Sequence, residues 1–163
     1  MNDINRILQF IKGIGIEILE EKLGDDTFLP GLSLKANAVV IDFDKLKYPG
    51  DILHEAGHIA VASPETRALI GTAAIPEGWP DGGEEMGAIL WSYAASIHLQ
   101  LPLEFVFHPD GYKNSSEWLI QSFENETYVG LPFLEWIGLA YGKEKALENQ
   151  QPAFPVMLKW IRD

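Results

Sequence analysis

Residues 51–62 read DILHEAGHIAVA, and the motif HEAGH at positions 54–58 decides how the surrounding fold must be built. On a helix, positions i and i+4 lie on one face, so His54 and His58 can turn their ring nitrogens toward one metal ion. Glu55 lies beside them, where its carboxylate can accept a proton from water bound to that ion. The spacing therefore predicts a helix that carries a zinc site and a general base.

Turn signals bound this helix on both sides. Residues 48–50 are Tyr-Pro-Gly, Asp51 is a suitable N-cap, and the apolar pattern runs to about Ala62. Residues 63–65, Ser-Pro-Glu, then offer the cap, the N1 proline and the first-turn acid of a second short helix that ends at Gly71.

The segment before the motif is predicted to form one helix and a small sheet. Apolar residues at helical spacing predict a helix over about residues 2–13: Ile4, Ile7, Leu8 and Ile11. Alternating or β-branched apolar residues then predict about three strands, with a turn at 35–38: Ile16, Ile18, Leu32, Leu34 and Val39–Ile41.

The segment after the motif is predicted to be helical. A long helix runs from Glu84 to about Gln100, with one apolar face formed by Met86, Ile89, Leu90, Tyr93 and Ile97. Further helices are predicted up to Phe123, over 132–141 and over 155–162. The fold class is therefore α+β: a predominantly helical single domain over residues 1–163, with a small N-terminal sheet packed on the HExxH helix.

Composition limits the classes of function. A length of 163 residues with 47% hydrophobic content is typical of one globular domain. The net charge of -12 would repel phosphate backbones and anionic membranes, so neither nucleic acid nor a membrane is an expected partner. The chain has no cysteine, which leaves histidine and carboxylate as its strong metal ligands. Neither a secretion signal nor an apolar run of about 18 residues is visible, so a cytoplasmic protein is expected.

HEAGH resembles the active-site motif of the zincin metallopeptidases, and locally that of membrane-anchored AAA+ proteases, although the phosphate-binding loop of those ATPases is absent here. Residues 28–31, 48–51 and 108–111 are also similar to small bacterial proteins of unassigned function that carry HEAGH. The resemblance implies a zincin-like domain, a Zn²⁺ cofactor and hydrolysis of a peptide or protein substrate.

A catalytic zinc ion needs a third protein ligand and one open position. In metzincins that ligand is a histidine six residues after the second motif histidine, but Pro64 stands there, so this class is excluded. The gluzincin pattern instead takes a glutamate from a following helix, and Glu84 and Glu85 begin the predicted long helix. An acid four residues after Glu85 could orient a histidine ligand of the zinc ion, but this position is Ile89. Asp51 or Ser92 could take that role instead.

Helical geometry separates the two adjacent acids. At 100° per residue, Glu85 flanks the predicted apolar face, whereas Glu84 points nearly opposite. Asp81 and Glu84 also have the spacing of a capping box. Glu85 is therefore the favoured third ligand, while Glu84, Asp81, His108 and Asp110 remain alternatives.

Residues 108–112, His-Pro-Asp-Gly-Tyr, have strong turn chemistry, and either His108 or Tyr112 could assist by polarising a carbonyl or stabilising an oxyanion. The leading hypothesis is a zinc-dependent hydrolase, most readily a small metallopeptidase, with Glu55 as general base. The alternative is a non-catalytic zincin-like module that binds metal, a peptide or a protein. A third hypothesis is a structural protein in which the two histidines are buried and free of metal.

Overall fold

Helix α2, Asp51–Val61, lies at the centre of the molecule, and every one of its residues except Glu55 is buried. This burial explains why the helix is apolar on nearly all sides, since neighbouring elements cover each face. Helix α4, Gly82–Leu99, packs against one side of it, and the sheet packs against another. Residues 1–163 are all described in the computed structural model, which is an α+β single domain with 45% helix.

Three four-residue strands form the sheet: β1 Glu17–Glu20, β2 Leu32–Lys35 and β3 Ala38–Ile41. Their order is β1-β3-β2, with β1 parallel and β2 antiparallel to the central β3. All four residues of β3 are buried, which accounts for its uninterrupted apolar sequence. The predicted turn joins β2 to β3 as a tight hairpin, with Ala36 at a φ of 51°.

The remaining helices surround this centre. Helix α1 spans Asp3–Gly13, close to its predicted bounds, and α3 spans Pro64–Leu69, with the Ser63 side chain accepting a hydrogen bond from the Thr66 amide as a cap. The other helices are α5 Leu103–Val106, α6 Ser116–Glu124, α7 Leu131–Trp136 and α8 Lys143–Glu148. None of the helices is both long and apolar enough to cross a bilayer.

Two predicted helices differ from the structure. The helix predicted over 132–141 ends at Trp136, and Gly138 then adopts a φ of 80°. The helix predicted over 155–162 does not form. Its backbone groups bond to distant elements instead: the Leu158 amide donates to the Leu139 carbonyl, and the Arg162 amide donates to the Ala60 carbonyl.

The single apolar face predicted for the long helix is also wrong in detail. The middle of α4, residues 87–96, is buried on all sides, whereas Ile97 is 42% exposed. Trp91, outside the predicted face, is fully buried, and its indole N–H donates to the Trp160 carbonyl at 2.9 Å. The C-terminal segment therefore covers a face of α4 that periodicity alone would assign to solvent.

Candidate metal centre

Close packing of α2 on α4 places the motif beside the first turn of the long helix. Gly57 makes this approach possible, because a Cβ atom at this position would lie 2.9 Å from the Ala88 carbonyl oxygen and 3.3 Å from the Trp91 ring. The short residues between the two histidines thus set the distance between the helices. Glu85, one turn before Ala88, is carried to the face of α2 that presents His54 and His58.

Three side chains converge at this point. The Nε2 atoms of His54 and His58 lie 3.1 Å apart. The two carboxylate oxygens of Glu85 lie 3.3 Å from Nε2 of His54 and 3.2 Å from Nε2 of His58. Both imidazoles are buried, whereas the Glu85 side chain is 40% exposed. These three residues form a group that could hold a metal ion.

The separations fit a single small cation. In a tetrahedral site with zinc–ligand bonds of about 2.0–2.1 Å, neighbouring ligand atoms lie about 3.3–3.4 Å apart. The three observed distances are 3.1, 3.3 and 3.2 Å. The two Glu85 distances involve different carboxylate oxygens, and the three side chains lie close enough together to share one ion.

The charges of the group are strongly coupled. Burial would raise the pKa of Glu85, but its contacts with the two imidazoles outweigh this effect and hold the pKa well below its usual range. Burial would lower the pKa of His54, but the contact with Glu85 and the nearby charge of Glu55 raise it overall. Glu85 is consequently an anion, as a carboxylate ligand must be.

The other acids proposed as third ligand lie outside the group. The Glu84 carboxylate accepts a hydrogen bond from the Asp81 amide, and the Asp81 carboxylate accepts one from the Glu84 amide, which is the predicted capping box. The Asp110 carboxylate accepts a hydrogen bond from the Tyr48 hydroxyl. Glu85 is the acid that the fold brings to the two histidines.

Asp51 and His108 form a buried pair of their own. Asp51 was predicted to cap α2, but Gly50 occupies the cap position and the Asp51 side chain points elsewhere. Its Oδ1 lies 2.7 Å from Nε2 of His108, whose ring stacks on Tyr48. A buried charge needs a partner, and this requirement takes precedence over capping of an exposed helix end. The pair fixes the 108–112 turn against the start of α2.

Neither residue predicted to orient a zinc ligand does so. The Nδ1 atoms of His54 and His58 are buried and have no hydrogen-bond partner. Asp51 is occupied by His108, and the Ser92 hydroxyl donates to a backbone carbonyl of its own helix. Packing therefore holds the two imidazole rings, which lie edge to face at 82°.

The Glu55 carboxyl lies close enough to His54, His58 and Glu85 for their charges to act on it. It is partly buried and lines a cavity of about 480 Å³ beside β2. Burial raises the pKa of its carboxyl, and the neighbouring imidazoles oppose that rise. A glutamate whose pKa moves toward neutrality is suited to accept and return a proton near pH 7.

Tyr112 lies in a second cavity of about 520 Å³ that His54 and Glu85 also line. The centre of its ring is 5.4 Å from that of His54. Its hydroxyl is buried without a hydrogen-bond partner, and burial raises its pKa well above the usual value. Tyr112 is therefore a protonated donor beside the metal group, whereas His108 is held by Asp51.

Trp79 was not among the residues predicted for the site, although a tryptophan in such a loop could line a cleft or a partner surface. Its ring lies 5.9 Å from that of His58 and lines the cavity of Glu55. The signal was present as a large aromatic residue in a loop rich in proline and glycine, but nothing local shows that this loop folds back over α2.

Comparisons with protein-family models, curated proteins and solved structures gave no match.

Proposed function

We propose that the protein is a zinc-dependent hydrolase that cleaves peptide bonds, with His54, His58 and Glu85 as the zinc ligands. The observation that supports this function most strongly is the set of three ligand-atom separations between 3.1 and 3.3 Å. Its second support is Glu55, which follows a ligand in the chain and lines an adjoining cavity. An HExxH helix packed on a three-stranded sheet, with a glutamate from a later helix, also supports a zincin-like class for the domain.

Glu55 serves as the general base. A zinc ion held by His54, His58 and Glu85 would supply Lewis acidity, which would activate water and polarise a carbonyl group. Glu55 accepts the proton released as water attacks the carbonyl carbon and delivers it to the departing amine. Burial of the Glu55 side chain raises the pKa of its carboxyl, which suits it to exchange a proton near pH 7.

Tyr112 serves as a hydrogen-bond donor to the substrate. Its hydroxyl remains protonated because burial raises its pKa, and the neighbouring Ser92 hydroxyl donates its own proton to the Ile89 carbonyl. An oxygen that gains negative charge as the carbonyl is attacked is an acceptor of the type that such a donor stabilises. If Tyr112 has this role, Tyr112→Phe lowers the turnover rate more than it lowers the affinity for substrate.

The proposed function is tested with a library of peptides from a digested proteome, incubated with the zinc-loaded protein and analysed by mass spectrometry. We expect new peptide termini with the wild-type protein and none with Glu55→Gln, while both proteins contain one zinc per chain. Glu84→Gln is the matched control, because it removes a nearby acid that belongs to the helix cap. Equal cleavage by Glu55→Gln would exclude Glu55 as the base.

A second candidate function is metal-dependent peptide binding without cleavage. Two exposed aromatic residues favour it, because Phe28 is 93% exposed, Trp118 is 55% exposed, and both line the cavity of Tyr112. Exposed aromatic side chains at the mouth of a cavity are typical of binding surfaces. Peptides that bind the zinc-loaded protein and are recovered intact would support this candidate against hydrolysis.

A further inference from the structure

The indole N–H of Trp79 is a buried donor with no acceptor. A buried polar group without a partner costs free energy, so such groups in folded proteins are normally paired with protein, water or a ligand. Trp91 shows the usual arrangement, since its indole N–H donates to the Trp160 carbonyl. Trp79 differs because its side chain lines a cavity, so a small movement of the ring would bring the enclosed N–H to an acceptor from outside the chain.

The cavity that contains Trp79 and Glu55 selects for a neutral acceptor. Five of its 13 lining residues are aliphatic: Leu23, Leu29, Leu32, Leu34 and Ile70. Its two ionisable side chains, Asp26 and Glu55, are both acids, and no lysine, arginine or histidine lines it. An anionic acceptor such as a terminal carboxylate would be repelled there, whereas an amide carbonyl would not.

Tyr112 lies beside His54 and Trp79 lies beside His58, and neither the Tyr112 hydroxyl nor the Trp79 indole N–H has a hydrogen-bond partner. His54, Glu85 and the Tyr112 hydroxyl belong to one cavity, whereas Glu55 and the Trp79 indole belong to the other. Residues 28–29, Phe-Leu, line both cavities, so the two spaces adjoin. A ligand that reaches both side chains therefore extends from the His54 side of the metal group to the His58 side.

We propose that Trp79 is a substrate-binding residue whose indole N–H donates to a backbone carbonyl of an extended peptide chain lying across both cavities. The scissile bond is then an internal one, with chain on the Tyr112 side and on the Trp79 side. The proposal rests on the hydrolytic function proposed above and specifies its substrate as a peptide without a free terminus in the site. It goes beyond that function by assigning a role to a residue outside the HExxH motif and the metal group.

The test uses the zinc-loaded Glu55→Gln variant labelled with ¹⁵N, with acetyl-trialanine N-methylamide as a blocked peptide probe. Each of the five tryptophans gives an indole N–H signal, and Trp91 and Trp136 serve as internal controls, one bonded inside the protein and one exposed elsewhere. We expect the Trp79 signal to shift saturably while those two signals stay in place. An unchanged Trp79 signal at saturating probe would overturn the proposal.

Trp79→Phe removes the donor and keeps an aromatic ring, and Trp136→Phe is the matched control. Loss of one hydrogen bond predicts probe binding about five- to tenfold weaker in Trp79→Phe and unchanged in Trp136→Phe. Equal affinity in the two variants would contradict the assignment. The free-amine and free-acid forms of the probe are expected to bind no more tightly than the blocked form, and a requirement for either free terminus would exclude an internal position.

Failure of this proposal is distinguishable from failure of the proposed function. The Trp79 signal reports binding without any cleavage, and the titration is repeated on zinc-free protein because the indole contact does not involve the ion. A shifted Trp79 signal together with no cleavage by the wild-type protein would keep the binding role and reject hydrolysis. Cleavage together with an unmoved Trp79 signal would reject the binding role alone.

Discussion

Glu84 and Glu85 are neighbours in the chain, but helix α4 turns them toward different partners. Glu84 completes the cap with Asp81 at the exposed start of the helix, whereas Glu85 faces His54 and His58. Helical periodicity separated the two acids from sequence alone, because both are fixed by a local geometry of 100° per residue. The chemical difference between them therefore follows from one step along the backbone.

This difference predicts how zinc affinity responds to substitution. Glu85→Gln is expected to weaken zinc binding by more than about 100-fold, because even groups that only orient metal ligands contribute 10–100-fold. Glu84→Gln is expected to leave affinity unchanged and to preserve the cap, since glutamine also serves at that position. Competition with a chelator of known affinity measures both values. Equal losses in the two variants would show that general charge, not ligation, attracts the ion.

Zinc affinity is also expected to rise with pH through the neutral range. The pKa of His54 is raised above 6.5 in the metal-free protein, so zinc must displace a proton from it at lower pH. The same raised pKa stabilises the metal-free fold below about pH 6.5. That contribution to stability is lost as the pH rises through the pKa of His54 in the folded protein. The lowered pKa of Glu85 stabilises the fold above about pH 4.5, and this contribution is lost as pH falls through the lowered value.

The stabilisation by zinc should therefore be larger at pH 7.5 than at pH 5.5, since the protons that oppose binding have then left. Thermal unfolding with and without zinc at the two pH values measures the difference. His54→Ala should remove the pH dependence together with the zinc effect. A zinc effect that is larger at the lower pH would contradict the assigned ligands.

At the scale of the element, the contact between α2 and α4 determines whether the ligands meet. Gly57 lies against the Ala88 carbonyl, so Gly57→Ala is expected to push the helices apart and destabilise the fold by about 1–3 kcal/mol. Zinc affinity should fall as well, because Glu85 lies on the displaced helix. Denaturant unfolding and zinc titration provide the two measurements.

The control for this substitution is Gly13→Ala at the end of α1. A Cβ atom there would have no neighbour within 4 Å, so alanine should be neutral or stabilising by up to about 1 kcal/mol. A Gly57→Ala protein as stable as the Gly13→Ala protein would show that α2 and α4 do not need the close contact.

Local chemistry predicted most of the elements but not their surroundings. The capping pattern at Ser63-Pro64 and the box at Asp81 and Glu84 were confirmed, because both depend on residues close together in the chain. The prediction that Asp51 caps α2 was wrong, because its partner, His108, is distant in sequence. The absent helix over 155–162 has the same cause, since its backbone bonds with other elements.

The candidate site shows the same division between local and distant information. His54, His58 and Glu55 could be selected from a five-residue motif, and Glu85 from the phase of one helix. The place of Trp79 beside His58 depends on how the 76–81 loop folds back, and periodicity carries no information about that path. Tyr112 could be named from turn chemistry, but its unpaired hydroxyl became visible only with the cavity around it.

At the scale of the whole molecule, a site shared by α2 and α4 links metal binding to stability. An ion bound only by the native state stabilises it by about 2.7 kcal/mol at a free concentration 100 times Kd. For a domain of this size, that corresponds to a rise in Tm of roughly 5–11 °C. Scanning calorimetry with and without zinc measures the rise, and His58→Ala should abolish it.

The net charge of -12 provides a control for non-specific attraction of cations. Screening by added salt weakens long-range attraction of divalent ions to an acidic surface, but it has little effect on a partly buried coordination site. Magnesium carries the same charge as zinc, but imidazoles are poor ligands for it. The same concentration of magnesium should leave Tm nearly unchanged. An equal rise with magnesium would assign the zinc effect to surface charge.

One zinc ion is expected to bind His54, His58 and Glu85 together. Anomalous diffraction at the zinc absorption edge, from crystals of the zinc-loaded protein, tests it most directly. We expect one strong peak within about 2.0–2.2 Å of Nε2 of both histidines and of a Glu85 carboxylate oxygen. A peak located elsewhere, or a fully loaded crystal with no peak among these three side chains, would contradict it.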